Sequence, residues 1–406
     1  MMNTAKATAP AACMRGVAMT AVLCLGGLVT GLAQAEETGA RIAESRNVSL
    51  RMQSYNTREK ADQVIERLER ANFNTINAMV YWYRANYKSE EFSRASWIEE
   101  NPDFDPVQYL KDHAQERGWQ FHAWFVNAQI ASEDREEFDD LLLVDADGNK
   151  HDRRLDWSIQ EVRERETRMM LEFAEMYPDV NMIQFDYVRF PREIPDGDYS
   201  YSDRAREAYK EETGIDPWDL VHNQHEFDDD ELEQLKDEWY EWRVAQITSV
   251  IEDVYDGAKA INPEMMVGAA VMGREDWAVG AKQPWHRWVE RGLLDLVKPM
   301  YYINNPDRYE GYISFWKDWA GDNWDRFHLP LGVPQVAGTE TPIRTIEETR
   351  WGTWDDMLAC LELARASGAP GVFMFRYADL TDEMIEKLGQ GPFSEPAVPA
   401  VWAPTE

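Results

Sequence analysis

The chain has 406 residues, 44% of them hydrophobic, with 75 acidic against 42 basic side chains and a formal net charge of −33. That length allows one large domain or two medium ones with a substantial core. A charge this negative excludes a nucleic-acid backbone or an anionic membrane surface as partner, and by itself suggests a neutral or cationic substrate or a salt-rich habitat.

The N-terminus reads as an export signal. Lys6 and Arg15 precede or flank the apolar run "GVAMTAVLCLGGLVTGLAQA", which ends in Ala33-Gln34-Ala35, a small-x-small cleavage site. Cleavage before Glu36 predicts a periplasmic or secreted protein, free of the membrane after processing and two units more negative. Cys13 and Cys24 leave with residues 1–35 and match no lipid-attachment pattern. Cys360 then stands alone within the helical pattern "WDDMLACLELARA", so no intrachain disulfide is expected. Residues 36–46 are a lead-in.

From residue 47 strand-like and helix-like segments alternate. The strand "NVSLRMQSY" is followed by "TREKADQVIERLERA", which has helical spacing behind a Thr cap. "NTINAMVYW" is a second strand, and "FDPVQYLKDHAQERG" a helix closing on Gly118. "WQFHAWFVNA" and the helix "SIQEVRERETRMMLEFAEMY" form the third pair. The fourth strand, "NMIQFDYVRF", opens a long excursion over 191–228, then a helix from "DELEQLKDEWYEW" onward. "MMVGAAV", "LLDLVKPMYY", "FHLPLGVPQV" and "PGVFMFRYADL" complete eight strands, each again followed by a helical pattern. Eight such units predict an α/β fold, a single-domain (β/α)8 TIM barrel over residues 47–388 with an extended excursion after strand four. The Pro/Ala-rich tail, 389–406, reads as disordered.

Barrels of this kind place their chemistry at the C-terminal ends of the strands. In "NMIQFDYVRFP", Ile183, Phe185 and Tyr187 share one strand face, and Met182, Gln184, Asp186 and Val188 the other. Two polar groups on a face that should be buried are either costly or useful. The structural alternative pairs Asp186 with an interior cation such as Lys298 or Arg376. Other strand ends offer Gln53 and Tyr55; Tyr81, Trp82, Tyr83 and Arg84; His122, Trp124 and Asn127; Glu275 and Asp276; Lys298 and Tyr302; Gln335; and Arg376, Tyr377 and Asp379.

"IQFDYVRFP", preceded by "FHAWF" and followed by "KPMYY", resembles the glycoside-hydrolase-like family ten proteins and neighbouring glycosidase-like barrels. "NTINAMVYWYRANYKSE" and "LDWSIQEVRE" are similar to the family's second strand and to its run into the third helix. The likeness covers roughly 47–380, nearly the whole mature chain. It implies a TIM-barrel glycosidase with Asp186 at the fourth strand end and, since some members act on bacterial cell-wall glycans, a polysaccharide substrate. Two departures stand out: relatives often carry an acid within strand five, where Ala269 and Ala270 stand here, and Lys298 is not expected on strand six.

Glycoside hydrolysis generally uses two carboxyl groups. Asp186 is the candidate nucleophile or stabiliser, and Glu275 the candidate acid, with Asp276 and Asp307 as fallbacks. His122, Asn127, Gln184, Tyr302 and Arg376 are candidates for bonding sugar hydroxyls. Trp124, Tyr83 and Trp277 offer stacking faces, and Tyr187 is a further expected substrate contact. Arg84 and Lys298 complete the expected substrate contacts, and Arg189 either joins them or braces the loop after strand four. No cofactor is implied. "VDADGNKHD" crowds oxygen ligands, but Lys150 occupies the place where a calcium loop needs glycine, so a tight turn at Asp147-Gly148 is expected instead of a metal site. Two rival readings are a non-catalytic glycan-binding barrel and a lyase forming a Schiff base on a buried Lys298.

Overall fold

The computed structural model describes residues 42–191, 198–334 and 352–400. The expected export signal and Gln335 lie outside these residues. Strands β1 (Ser45–Leu50), β2 (Thr75–Trp82), β3 (Gln120–Val126), β4 (Met182–Asp186), β5 (Met266–Met272), β6 (Leu296–Met300), β7 (His328–Gly332) and β8 (Gly371–Phe375) pair in parallel in the order β6-β5-β4-β3-β2-β1-β8-β7. A single parallel bridge, Val297 to Phe327, brings β6 toward β7, so the barrel is nearly closed.

The helices follow the local signals. Helix α1 (Arg58–Arg70) starts where the Thr57 side chain accepts the Lys60 N–H, and it buries Ala61, Val64, Ile65 and Leu68. Helix α2 (Pro106–Glu116) is capped by Asp105 with proline in its first turn. Helix α3 (Gln160–Met176) buries Met169, Met170 and Phe173, and Phe173 meets Phe125 of β3 edge-on at 5.3 Å. Helix α4 (Asp229–Ile261) begins on Asp228 with three acids in its first turn, which complement the helix dipole. Its second half buries Ile247, Val250, Ile251 and Val254 against the barrel. Helices α5 (Trp285–Glu290), α6 (Pro306–Ala320), α7 (Trp354–Ala366) and α8 (Asp382–Gln390) complete the ring. Cys360 is buried in α7 and unpaired.

The excursion after β4 is folded over residues 198–228. Tyr209 and Leu220 from its short helices pack on Trp239 as a satellite core under the first half of α4. The Asp145-to-Asn149 stretch is the turn of a hairpin joining Leu142–Val144 to Lys150–Leu155, with Gly148 at φ +84. Asp145 accepts the N–H groups of Asp147 and Asn149, which is what a tight turn requires.

The tail departs from its expected disorder up to residue 400. Phe393 is fully buried, edge-on to Phe73 at 5.6 Å. The Arg46 guanidinium donates to the carbonyls of Phe393 (3.3 Å) and Glu395 (2.8 Å), and Ala397–Val398 pairs in parallel with Ile42–Ala43. Proline removes donors but leaves carbonyls free to accept, so one buried guanidinium and one apolar anchor order a segment of low regular propensity.

Candidate active site

The two faces of β4 divide as the alternation predicts. Ile183 and Phe185 join the main core between barrel and helices, whereas Met182, Gln184 and Asp186 point into the barrel. Asp186 ends β4 and is only 5% exposed. Its Oδ2 accepts the Trp124 indole N–H at 3.1 Å; its Oδ1 accepts the Tyr187 backbone N–H at 2.8 Å and an Arg189 N–H at 3.3 Å. The structural alternative named Lys298 or Arg376 as the pairing cation; the cation that pairs with Asp186 is instead Arg189, three residues on, and Trp124 supplies a further donor.

Asp186 opens onto a cavity of about 160 Å³ at the C-terminal mouth. Ser49 and Arg51 of β1 and its exit, Asn77 and Met79 of β2, and Trp124 and Val126 of β3 line one side. Gln184, Ala270, Lys298 and Met300 form the floor and far wall; Trp82, Tyr187, Tyr302 and Phe375 supply an aromatic collar. Tyr302 stacks on Phe375 at 4.9 Å, and Trp124 meets Phe375 edge-on at 6.2 Å. A second cavity of about 230 Å³ shares Arg189, Met300 and Tyr302 with the first and extends past Arg274, Trp277 and Arg308. Together they make a groove with an apolar collar and a polar floor, the composition a sugar ring calls for. Ala270 is where the family resemblance leads one to expect an acid, and its small side chain helps leave the floor open.

The backbone around the mouth is unusual. Tyr83, Ala128 and Tyr187, which follow β2, β3 and β4, all have positive φ, at 62°, 51° and 64°. Non-glycine residues rarely adopt this conformation, and such positions gather at functional sites. A register shift between Met79 and Tyr81 bends the end of β2 beside the cavity.

The site residues expected from sequence fall into three groups. Asp186, Trp124, Gln184, Tyr187, Arg189, Lys298 and Tyr302 line the cavity. His122 and Asn127 are fully buried behind it. His122 bonds Gln120 (3.1 Å) and Asn47 (3.3 Å) in the barrel interior, and burial, then Lys298 and His328, push its pKa well down. Asn127 accepts the Asp186 N–H at 3.3 Å and donates to the buried Glu166 at 3.1 Å, so it positions the strand end rather than meeting a ligand. Glu166 is in turn held by Arg165, which donates to Tyr81 at 2.8 Å.

The third group is turned away. Tyr83 and Arg84 line a separate cavity of about 320 Å³, and Arg84 is held by Asp134 and Glu133. Arg376 is engaged by Asp379 at 3.2 Å. Glu275 is exposed at the first turn of the short helix Glu275–Gly280 and lines neither part of the groove. Asp276 is exposed and held by Arg274 at 2.7 Å, and Asp307 is exposed in the first turn of α6. A helix started by Arg274-Glu275 sends its first acids outward while Trp277, two residues on, turns to the groove. At the first strand end, Tyr55 is buried and donates to the Met79 carbonyl, and Gln53 is exposed.

Sequence reasoning missed Arg51, Asn77, Met79 and Arg154. Arg51 follows β1 directly and shares parity with Ser49, which was its available signal. Arg154 had none: it reaches the mouth because the hairpin strand bridges Gln129 and Leu155 donates to the Ala128 carbonyl at 3.0 Å. Lys298 is buried at the cavity floor, its Nζ 3.3 Å from His122 Nδ1, and burial pushes its amine well below the usual range.

A family model described as glycosyl hydrolase-like 10 matches residues 39–327. The glycosyl hydrolase DigH of Escherichia coli O6:H1 is 24% identical over 281 residues, covering 59% of this chain and 56% of that protein. The K12 form of DigH is 23% identical over the same span. The chain therefore spans about half the length of the curated relatives it matches. Among solved structures, the β-amylase catalytic domain of Paenibacillus polymyxa superposes with a TM-score of 0.56 at 10% identity, covering 85% of this chain and 95% of that one. A β-galactosidase from the psychrophilic Marinomonas ef1 gives 0.57 at 13% identity, covering 82% and 54%. These likenesses carry the barrel fold.

Proposed function

The chain belongs to the glycosyl hydrolase-like 10 family, and from that premise we propose that it is an exported enzyme that hydrolyses O-glycosidic bonds of a polysaccharide, either cell-wall glycan or exopolysaccharide, with Asp186 at the reacting centre. One observation carries this reading: Asp186 is the acid that lines the cleft among the described residues, and donors converge on both its oxygens. In this role its carboxylate faces the anomeric carbon and either attacks it or stabilises the positive charge that develops as the leaving oxygen departs. Trp124, Tyr187 and Arg189 fix the carboxylate orientation in advance, so little reorganisation is needed at the transition state. The collar of Trp82, Tyr187, Tyr302 and Phe375 offers ring faces, and Gln184, Asn77 and Ser49 offer polar groups to sugar hydroxyls. Within this reading the leader directs the enzyme to the periplasm or the medium. No helix among the described residues is long and apolar enough to cross a membrane.

The test is a glycan-release screen. Wild type, Asp186→Asn and Glu275→Gln are incubated with peptidoglycan, de-peptidated glycan strands and a panel of exopolysaccharides, and products are read by mass spectrometry. We expect release by wild type, a loss of about 10²–10⁴-fold in Asp186→Asn, and near-wild-type release by the exposed Glu275→Gln. Full turnover by Asp186→Asn sinks the assignment. Sugar binding without release by any form gives the non-catalytic binding barrel instead.

A further inference from the structure

We propose that the groove selects glycans whose sugar units carry an acidic group, through unpaired arginines around its mouth; this deepens the hydrolase reading and rests on the same site. The chain has 75 acids for 42 bases, so a guanidinium on its surface has no shortage of carboxylates. Arg51, Arg154 and Arg308 nevertheless have no carboxylate within ion-pair distance among the described residues, and each stands at the groove or directly behind its wall. Arg51 lines the central cavity, and its buried Nε has no hydrogen-bond partner among the described residues. Arg154 lies 4.8 Å from the centre of the Tyr187 ring, and Arg189 lies 4.3 Å from it. Arg308 lines the far end of the groove.

Among the described residues the groove is lined by four arginines, Arg51, Arg189, Arg274 and Arg308, and by one acid, Asp186, against the charge of the whole chain. Arginine keeps its charge when buried, so an unpaired one is a standing cost that an arriving anion relieves. Burial, then repulsion from Arg189, lowers Arg154 to about 10, and the nearby Tyr187 and Asp186 offset this only in part. Among the described residues Asp186 makes its ion pair with Arg189, and Asp379, which acts on Arg51 through space, is paired with Arg376. A carboxylate or sulfate on the bound sugar fits the planar donor fork of Arg51. The buried Gln184 Oε1, also without a partner among the described residues, is left to accept a hydroxyl of the same ring. This reverses the substrate charge suggested by composition: among the described residues the groove is lined by more arginines than acids.

The experiment titrates the wild-type chain calorimetrically with hexasaccharides of galacturonan, glucuronan and mannuronan and with their carboxyl-reduced counterparts, and with a sulfated galactan and its desulfated form. Mass spectrometry of the same mixtures reports cleavage. We expect at least one charged oligomer to bind tenfold or more tighter than its neutral counterpart. Arg51→Gln, which removes no side-chain hydrogen bond among the described residues, should bring that ratio below threefold with an unchanged melting temperature. Preference confined to the uronates assigns a carboxylate; preference confined to the galactan assigns a sulfate. If charged and neutral forms bind alike, or the ratio survives Arg51→Gln, the inference is overturned, and cleavage of a neutral oligomer in that case leaves the hydrolase reading standing. Charge preference without cleavage of any oligomer does the reverse.

Discussion

Replacing Trp124 by phenylalanine isolates the contact that orients the central carboxylate. The substitution keeps an aromatic ring against Phe375 and removes one donor, the indole N–H at 3.1 Å from Asp186 Oδ2. The other two donors act on Oδ1, so Oδ2 is left without a protein partner. The carboxyl group is 7% exposed, so bulk water replaces the lost donor poorly. A hydrogen bond to a carboxylate contributes about 1.5–3 kcal/mol, which corresponds to a loss of about 10- to 150-fold in kcat/KM if the contact is held through the transition state. Most of the loss should fall on kcat, because the collar that binds the ring is largely retained. The assay is steady-state hydrolysis of the polymer found by the release screen, with the melting temperature as a check on folding. A well-folded Trp124→Phe enzyme with kcat/KM within threefold of wild type would refute the view that this bond sets the carboxylate for reaction.

Two further outcomes concern the scaffold. Phe393→Ala removes a fully buried ring between Phe73 and Arg46, and should destabilise by about 3–5 kcal/mol; calorimetry should show a melting temperature several degrees lower, and an unchanged one would return the tail to disorder. Burial depresses the Lys298 pKa, so between its folded value and the ordinary 10.5 the unfolded chain binds the extra proton, and stability rises with pH. His122 and His328, depressed mainly by burial, act with the same sign below their ordinary 6.5. Urea midpoints should therefore fall below pH 6.5 and rise from pH 7 to 9, by up to about 1.4 kcal/mol per pH unit for Lys298, and Lys298→Met should flatten the rise; a wild-type midpoint that is level or falling from pH 7 to 9 contradicts the buried neutral amine. If that amine fails to trap any keto acid under borohydride, the lyase alternative goes with it.

What the residues determine by themselves is whatever depends on neighbours a few positions apart. Alternation in "MIQFD" set Gln184 and Asp186 inward and Ile183 and Phe185 outward, because a strand repeats every two residues wherever it is placed. Spacing, with the Thr57 cap of the first helix, marked the helices, and eight strand–helix units leave a parallel barrel as the natural closure. The strand-four acid, with its aromatic and cationic neighbours, was legible from that parity. Only the tertiary structure decided which rim residues meet. Arg51, Arg154 and Arg189 lie on three separate strand exits or hairpins, and their convergence is a long-range fact that no local period encodes. Glu275 looked equally well placed in sequence, but one helical turn rotates it outward and brings Trp277 to the groove instead. Asn127 and His122 share the polar chemistry of ligand-binding residues and differ from them only in depth. The tail shows the same limit: its composition argues against regular structure, yet a buried ring at Phe393 and the carbonyls taken by Arg46 order it through contacts more than 300 residues away in the chain.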